Sequence, residues 1–358
     1  MPKQLFATPT GMHDILPEDS PYWEKVRQIV FELAKFYDFG FIQTPILEPQ
    51  TIFERTLGLS SDVVEKEMYT LKTKGGDELA LRPEGTAPIM RAYLQHGWEA
   101  APQPVKVFYL GPMFRHEKPQ AGRLRQFHQF GFETLGSEDP VVDAQLIQLA
   151  MALLGDLGLK GLICEVNSLG DKVCRIKYRA ALKDYFRYHI KKMCHNCQRR
   201  FKNNPLRILD CKEEKCREVI AKSPQILDFI CDDCRGHFKK LLEFLDELNI
   251  PYLLNPHLVR GLDYYSRTVF EIYAEERRAA QSALVSGGRY DGLAELLGAK
   301  NVPACGWAGG IERIIAEMKE VKARVPQRPQ PKVFLVQLGD LAKKKSLKIL
   351  EEFRENDI

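Results

Sequence analysis

Apolar residues recur every three to four positions along several stretches of the chain, a spacing typical of amphipathic helices. The first stretch begins at Ser20-Pro21, a pair that is favourable where a helix starts, and ends before Gly40. Further helices are predicted over residues 85–94, 141–157, 311–321 and 342–354.

Shorter apolar runs between these helices predict strands. They cover residues 40–46, 68–72, 78–82, 105–117, 125–135, 162–167, 251–254, 263–274, 282–286 and 333–337. The runs at 105–117 and 125–135 are separated by seven residues that include Pro119 and Gly122. This arrangement predicts a hairpin with a long loop.

A change of composition at Gly170 indicates the domain organisation. Residues 171–250 are charged, helical in pattern and hold seven of the nine cysteines, and strand patterns return after them. We therefore predict an insertion within a larger α+β domain. The predicted parts are a main domain at 1–170 and 251–323, an insertion at 171–250, a linker at 324–331 and an incomplete third domain at 332–358. We expect the helix of that last part to expose Leu347, Ile349, Leu350 and Phe353.

Composition limits the class of protein. Apolar residues make up 44% of the 358 and charged residues 28%, which excludes a disordered chain, a collagen and a coiled-coil rod. The net charge of +4 is too small to identify a nucleic-acid binder. The N-terminus lacks a signal-peptide pattern, and no run of ~18 apolar residues is present. We expect a cytoplasmic protein that does not enter membranes and keeps its thiols reduced.

The cysteines of the insertion form a pattern of their own. Two Cys-x-x-Cys pairs, Cys194/Cys197 and Cys231/Cys234, are typical of zinc sites in a small cytosolic unit. The predicted zinc ligands are Cys194, Cys197, Cys231 and Cys234, with Cys211 and Cys216 as alternatives. Unligated thiols are the competing interpretation. Cys164, Cys174 and Cys305 are predicted to be ordinary small core residues.

The long hairpin carries polar residues of a kind suited to ligand binding. Side chains two apart in a strand share a face, so Arg115 lies beside Glu117, and Gln129 beside Glu133. Arg123 lies in the loop between them. Opposite charges and an amide on one face are suited to a zwitterion and a phosphate, although a solvated polar face has the same pattern.

Two further segments have glycine or arginine where a ligand could approach the backbone. Residues 286–292 are rich in glycine, which permits a close approach or a tight turn. Residues 306–313 open a helix with Arg313 near its start, an arrangement that suits an anion. The alternative for this second segment is a simple turn between a strand and a helix.

Taken together, these segments resemble the class II aminoacyl-tRNA synthetases. Residues 114–117 (Phe-Arg-His-Glu) with Arg123 are similar to the second signature motif of that class, residues 309–313 (Gly-Gly-Ile-Glu-Arg) to the third, and Pro45 to the first. Residues 258–265 (Leu-Val-Arg-Gly-Leu-Asp-Tyr-Tyr) and 82–86 (Arg-Pro-Glu-Gly-Thr) resemble motifs of the histidyl-tRNA synthetases. The resemblance runs in order from about Pro9 to the end of the chain.

The resemblance implies a fold and an activity. The fold is an antiparallel sheet flanked by helices, with a helical insertion and the start of an α/β C-terminal domain that binds the anticodon. The activity is activation of histidine by ATP with Mg²⁺, followed by transfer to tRNA(His), in a homodimer. The alternative is a synthetase-like regulatory subunit of ATP phosphoribosyltransferase, which does not charge tRNA. An incomplete third domain leads us to expect weak charging of tRNA.

The resemblance also assigns roles to residues. Arg115 and Arg260 act on the α-phosphate as the catalytic residues, a role for positive charge that the attack of one anion on another requires. The residues assigned to ATP are Arg115, Glu117, Arg123 and Arg313. The residues assigned to histidine are Glu84, Gly85, Thr86, Arg115, Gln129, Glu133, Arg260, Tyr264, Tyr265 and Tyr290, of which Glu133 and Tyr265 flank the imidazole.

Local charge within the insertion bears on the tRNA partner. Residues 191–220 contain nine Lys or Arg against four Asp or Glu. This segment is either a solvated helical face or a surface for phosphates of the acceptor stem.

Overall fold

A computed structural model of the chain describes residues 6–58, 61–117, 124–275, 283–326 and 330–357. They belong to two compact units, Met1–Arg324 and Val325–Ile358. Among the described residues, no helix has the length and apolar character that spanning a membrane requires.

The described strands of the first unit form two sheets. Their bounds are β1 Gly40–Phe41, β2 Leu47–Pro49, β3 Thr70–Lys72, β4 Glu78–Leu81, β5 Val105–Phe114, β6 Gln126–Leu135, β7 Leu162–Ser168, β8 Tyr252–Leu254, β9 Ser266–Ala274, β10 Val285–Arg289 and β11 Ala304–Gly310. The large sheet has the order β1-β5-β6-β11-β10-β9-β7-β8, and the small one β2-β4-β3. The large sheet is antiparallel except at its edges, where β1 pairs with β5 and β7 with β8 in parallel. The predicted antiparallel α+β fold is confirmed.

Helices flank the sheet and build the insertion. Their bounds are α1 Ser20–Phe36, α2 Gln50–Leu57, α3 Thr86–Gln95, α4 Pro140–Asp156, α5 Lys172–Arg187, α6 His195–Asn203, α7 Glu214–Ile220, α8 Asp232–Glu247, α9 Leu293–Leu296, α10 Ile311–Glu320 and α11 Gly339–Glu355. Helix α1 begins at Ser20 with Pro21 in its first turn, as predicted, and buries Trp23, Val26 and Val30.

The predicted hairpin of the large sheet positions the site. Strands β5 and β6 pair from Val105↔Leu135 to Phe114↔Gln126. On one face of β6, Phe130 and Phe132 pack against Trp307 of β11, with ring centroids 5.7 and 5.0 Å apart. Alternate residues therefore place Gln129 and Glu133 on the other face.

The insertion leaves and rejoins the sheet at neighbouring strands. Helices α5 to α8 follow β7 and lead into β8, which pairs with β7, so both connections lie at one edge of the sheet. The insertion has an apolar cluster of its own, to which Tyr178, Leu182 and Phe186 contribute. It nevertheless belongs to the same compact unit as the sheet.

The second unit differs from its prediction in one element. Residues 333–337 are not a strand, and the prediction of one is wrong. An extended segment needs a neighbouring strand for its backbone hydrogen bonds, and the described part of this unit contains none. Helix α11 forms as predicted; it exposes Leu347, Ile349 and Leu350, while Phe353 is half-buried.

Candidate active site

Small residues open a space above the polar face of β6. In register with Gln129 lie Gly111 of β5 and Gly310 of β11, and in register with Glu133 lies Gly306. A Cβ atom at Gly306 would lie only 1.6 Å from Oε2 of Glu133. Glycine at this position therefore lets the Glu133 carboxyl lie directly on the neighbouring strand.

A cavity of about 760 Å³ lies over this face. The predicted site residues on its wall are Glu84, Thr86, Arg115, Glu117, Gln129, Arg260, Tyr264, Tyr265 and Arg313. Glu133 and Tyr290 are each 1% exposed and lie behind the wall. Arg123 lies outside the described residues. The structure thus brings together residues from segments that are far apart in the sequence.

Glu133 is the buried acid of the site. Its Oε1 accepts a hydrogen bond from Oγ1 of Thr86 at 2.7 Å, and its Oε2 accepts one from the hydroxyl of Tyr290. Burial raises the pKa of Glu133 to about 8; the two hydroxyl donors oppose this shift and nearby Glu84 adds to it. Burial therefore favours the protonated, uncharged form of this acid.

Glu84 lies on the cavity wall and also binds backbone N–H groups at the start of α3. Its carboxylate accepts hydrogen bonds from the backbone N–H groups of Thr86 and Ala87, both at 2.8 Å, and from the hydroxyl of Tyr264 at 3.4 Å. These backbone donors belong to the first turn of the helix, where they have no partner within the helix. Burial raises the pKa of Glu84, although the backbone donors oppose the shift.

Two arginines of the cavity wall are held by different partners. Nε of Arg115 donates to the carbonyl of Pro83 at 2.8 Å, and its guanidinium lies 5.4 Å from the ring centre of Phe127. Arg260 forms an ion pair with Glu271 and lies 5.3 Å from the ring centre of Tyr265. Burial lowers the pKa of Arg260, but the Glu271 carboxylate together with Tyr265 and Tyr264 outweighs it and the net shift is upward.

The segment at the start of α10 docks on the hairpin. Glu312 accepts hydrogen bonds from the backbone N–H of His128, at 2.9 Å, and lies 2.8 Å from its Nδ1. Nη1 of Arg313 donates to the carbonyl of Ala283 at 2.8 Å. The helix begins at Ile311 immediately after β11, so its N-terminal end lies beside the cavity.

Polar atoms without a protein partner lie in and around this site. Among the described residues, they include the hydroxyl of Tyr109, Oε1 of Gln129 and Nε of Arg260, all buried. Buried polar groups are otherwise almost always hydrogen-bonded. These atoms therefore mark positions where a bound molecule can supply the missing donor or acceptor.

Sequence reasoning missed Tyr109 and Glu271. Tyr109 lies opposite Gly131, and a Cβ atom at Gly131 or at Gly85 would lie 2.5 Å from its ring. Gly85 thus makes room for Tyr109. The strand pattern could have indicated Tyr109, because it directly follows the packing residue Phe108 and therefore faces the opposite side of β5. No local signal pairs Glu271 with Arg260, because β9 brings the two together only in the folded sheet.

The cysteines of the insertion separate into two groups. The four-cysteine cluster contains Cys194, Cys197, Cys211 and Cys216, and the aspartate–cysteine cluster contains Asp171, Cys174, Cys231 and Cys234. In each group the ligand atoms lie within 4.8 Å of one another. The predicted set of Cys194, Cys197, Cys231 and Cys234 is therefore not one group. The two Cys-x-x-Cys pairs begin different helices, α6 and α8, and each pair meets other partners. Cys174 is a member of a cluster rather than an ordinary core residue.

Part of the positive charge of residues 191–220 is neutralised within the protein. Oδ1 of Asp62 lies 3.2 Å from Arg199, and its Oδ2 lies 3.2 Å from Arg200 and 3.5 Å from Arg207. Burial raises the pKa of Asp62, but the hydrogen bonds with Arg200 and Lys66 and the positive charges of these two residues together outweigh this effect, and the net shift is downward. These ion pairs tie the insertion to the edge of the cavity.

Comparisons with known proteins agree with one another. The family model described as "Histidyl-tRNA synthetase" matches residues 11–314. A protein of Dehalococcoides mccartyi named histidine–tRNA ligase is 46% identical over 354 residues, which are 99% of this chain and 84% of that protein. A protein of the same name from Desulforudis audaxviator is 48% identical over 336 residues, 94% of this chain and 80% of that one.

Solved structures show the same likeness. Apo histidyl-tRNA synthetase of S. aureus superimposes with a TM-score of 0.80 at 37% identity, over 99% of this chain and 84% of that one. A Bacillus halodurans protein titled as an ATP phosphoribosyltransferase regulatory subunit/histidyl-tRNA synthetase has a TM-score of 0.71 at 22% identity, over 99% of this chain and 92% of that one. The second likeness shows the fold alone.

Proposed function

The chain belongs to the histidyl-tRNA synthetase family, and we propose that the 760 Å³ cavity activates histidine with ATP and transfers it to tRNA(His). The observation that carries this proposal is the convergence on one cavity of Arg115, Arg260 and Arg313 with Glu84 and Gln129. Three cations from separate segments suit a polyphosphate, and the acid and amide suit an amino acid.

In the first step, a carboxylate oxygen of histidine forms a bond to the α-phosphorus of ATP. The bond between that phosphorus and the bridging oxygen breaks, and pyrophosphate leaves. Arg115 and Arg260 neutralise the negative charge that gathers on the α-phosphate, and Arg313 offsets charge on the remaining phosphates. Mg²⁺ that enters with ATP would neutralise part of the negative charge of the phosphates. Glu117 on the cavity wall is a carboxylate, the type of ligand that Mg²⁺ accepts. The protein contributes position and charge rather than an acid–base pair.

Histidine is recognised at both ends. Oε1 of Gln129, which has no partner among the described residues, accepts a hydrogen bond from the α-ammonium beside Glu84 and Thr86. Glu133 accepts the imidazole N–H, and Tyr265 lies on the other side of the ring. A site built to bond that N–H rejects apolar amino acids of similar size, because its buried acceptor would be left unpaired.

In the second step, a hydroxyl oxygen of the terminal tRNA ribose forms a bond to the carbonyl carbon of the adenylate. The bond from that carbon to the phosphate oxygen breaks, AMP leaves, and the proton of the hydroxyl passes to the phosphate of the departing AMP. The basic residues of 191–220 that do not pair with Asp62 are suited to phosphates of the acceptor stem.

We also propose a homodimer. Exposed apolar side chains lie on α1 (Phe31 and Phe36), on the edge strand β1 (Phe41) and directly after Pro45 (Ile46 and Leu47). An apolar surface at a sheet edge favours association with a second copy. Light scattering on the purified chain tests this, with Phe31→Glu as the disrupting variant; a monomeric parent protein would contradict it.

The test of the activity is ATP–pyrophosphate exchange, with histidine compared against the other amino acids. We expect exchange with histidine only. Histidine binding measured by calorimetry without any exchange would overturn the proposal and would favour a regulatory, non-catalytic protein.

A further inference from the structure

The two clusters of the insertion have the spacing of metal sites. Around a tetrahedral zinc ion with Zn–S bonds of about 2.3 Å, two sulfurs lie about 3.8 Å apart. Sγ of Cys194 and Sγ of Cys211 lie 3.8 Å apart. A disulfide would require about 2.05 Å. A larger iron–sulfur cluster would separate the ligands more widely, so the distance fits one ion.

The backbone of the four-cysteine cluster supports charged sulfur. Cys194 is the N-cap of α6, and its Sγ accepts a hydrogen bond from the N–H of Cys197 at 3.4 Å. The N–H of Cys194 donates in turn to Sγ of Cys216 at 3.3 Å. Hydrogen bonds to the ligand sulfurs and the positive end of a helix both favour thiolates, which are the ligand form of cysteine.

The aspartate–cysteine cluster repeats this arrangement with two helix starts. Asp171 is the N-cap of α5 and accepts a hydrogen bond from the N–H of Cys174 at 2.8 Å. Cys231 is the N-cap of α8, and its N–H donates to Sγ of Cys174 at 3.1 Å. Its own Sγ lies 3.6 Å from Oδ2 of Asp171. A carboxylate oxygen is an accepted ligand of zinc beside three sulfurs.

We propose that the insertion holds two separate zinc ions, one in the four-cysteine cluster and one in the aspartate–cysteine cluster. Thiolate ligands select zinc over magnesium or calcium, and four closely spaced ligands suit its tetrahedral coordination. Both ions are structural, because each cluster supplies four protein ligands and keeps no open position. This inference goes beyond the proposed function and does not depend on it.

The two ions fix different parts of the insertion. The aspartate–cysteine cluster joins the start of α5, just after β7, to the start of α8, and so closes the base of the insertion. The four-cysteine cluster holds the segment that carries Arg200 and Arg207 to Asp62, and its Cys194 and Cys211 lie on the cavity wall. The ion in the aspartate–cysteine cluster therefore stabilises the insertion. The ion in the four-cysteine cluster positions the insertion at the cavity.

Metal analysis of the full chain purified without chelator tests the assignment. We expect two zinc ions per chain in the parent protein and one in each of Cys211→Ala and Cys174→Ala. The double variant should hold none. The matched control is Cys164→Ala, a buried cysteine of β7 outside both clusters, which should keep two.

Titration of the metal-free parent protein with Co²⁺ gives a reading that needs no variant. Sulfur-to-cobalt absorption should saturate at two equivalents of Co²⁺ per chain. As a separate control, circular dichroism should show that the variants used for metal analysis are folded. A content of one ion or none, iron in place of zinc, or loss of both ions in either single variant would overturn the assignment of two sites.

Discussion

Replacing Glu133 by glutamine tests the histidine pocket with the smallest possible change of shape. The carboxyl accepts hydrogen bonds from Thr86 and Tyr290 and lies where a side chain at Gly306 would otherwise be. Glutamine keeps this volume but replaces one oxygen by an NH₂ group, which cannot accept. The charged acceptor that we assign to the imidazole N–H is lost.

The substitution should weaken the binding of histidine rather than that of ATP. A hydrogen bond to a charged partner contributes about 1.5–3 kcal/mol, which corresponds to a rise of about 10- to 150-fold in KM for histidine. KM for ATP should change by less than about threefold, since Arg115, Arg260 and Arg313, which we assign to the phosphates, are untouched.

The pH dependence sharpens the prediction. Burial raises the pKa of Glu133 to about 8, so in the free protein the carboxyl is protonated below that pH and resembles the amide of the variant. Above it the carboxylate can accept the N–H. The ratio of KM for histidine in the variant to that in the parent should therefore increase as pH rises through about 8. Titration of histidine itself cancels in this ratio.

Steady-state ATP–pyrophosphate exchange measures both constants across the pH range. The control is Glu48→Gln, which removes another buried carboxylate, paired with Arg91 outside the cavity, and should change neither KM. An equal rise in KM for histidine and ATP, or a ratio that does not vary with pH, would refute the assigned role of Glu133.

Three further predictions rest on the same cavity. Arg260→Ala should slow exchange about 10²–10³-fold while circular dichroism stays that of the parent, because a preorganised charge on the reacting phosphate is lost; activity within a few-fold of the parent would contradict this. Gly306→Ala should lower the free energy of unfolding in urea by about 1–3 kcal/mol, since its Cβ would meet the Glu133 carboxyl, whereas Gly155→Ala, with open space around it, should not destabilise. Glu133→Gln should gain stability relative to the parent as pH rises from the usual pKa of 4.5 to about 8, by on the order of 4 kcal/mol. The pKa of Glu133 is raised in the folded parent protein, so the stabilising effect of its protonated form is complete at low pH and is lost as pH rises, whereas glutamine does not titrate. Melting curves of parent and variant that shift in parallel with pH would exclude this.

The amino-acid sequence alone determined most of the elements of the first unit and the family. The helical repeat after Ser20 and the two strands of the long hairpin depend on residues close together in the chain, and the structure has them where the pattern predicted them. The motif around Arg115 and the motif around Arg260 led to the same family that the comparisons show. The roles assigned to their residues stay predictions.

Tertiary structure decided which residues meet. The spacing of the two Cys-x-x-Cys pairs suggested one zinc site, whereas the fold places them in separate clusters and adds Asp171 and Cys174 to one of them. It also paired Arg260 with Glu271 and buried Glu133 deeply enough to raise its pKa. Periodicity reports which way a side chain faces on its own element. Partner identity, burial and local charge depend on segments that are distant in the sequence and become neighbours only when the sheet and the insertion are assembled.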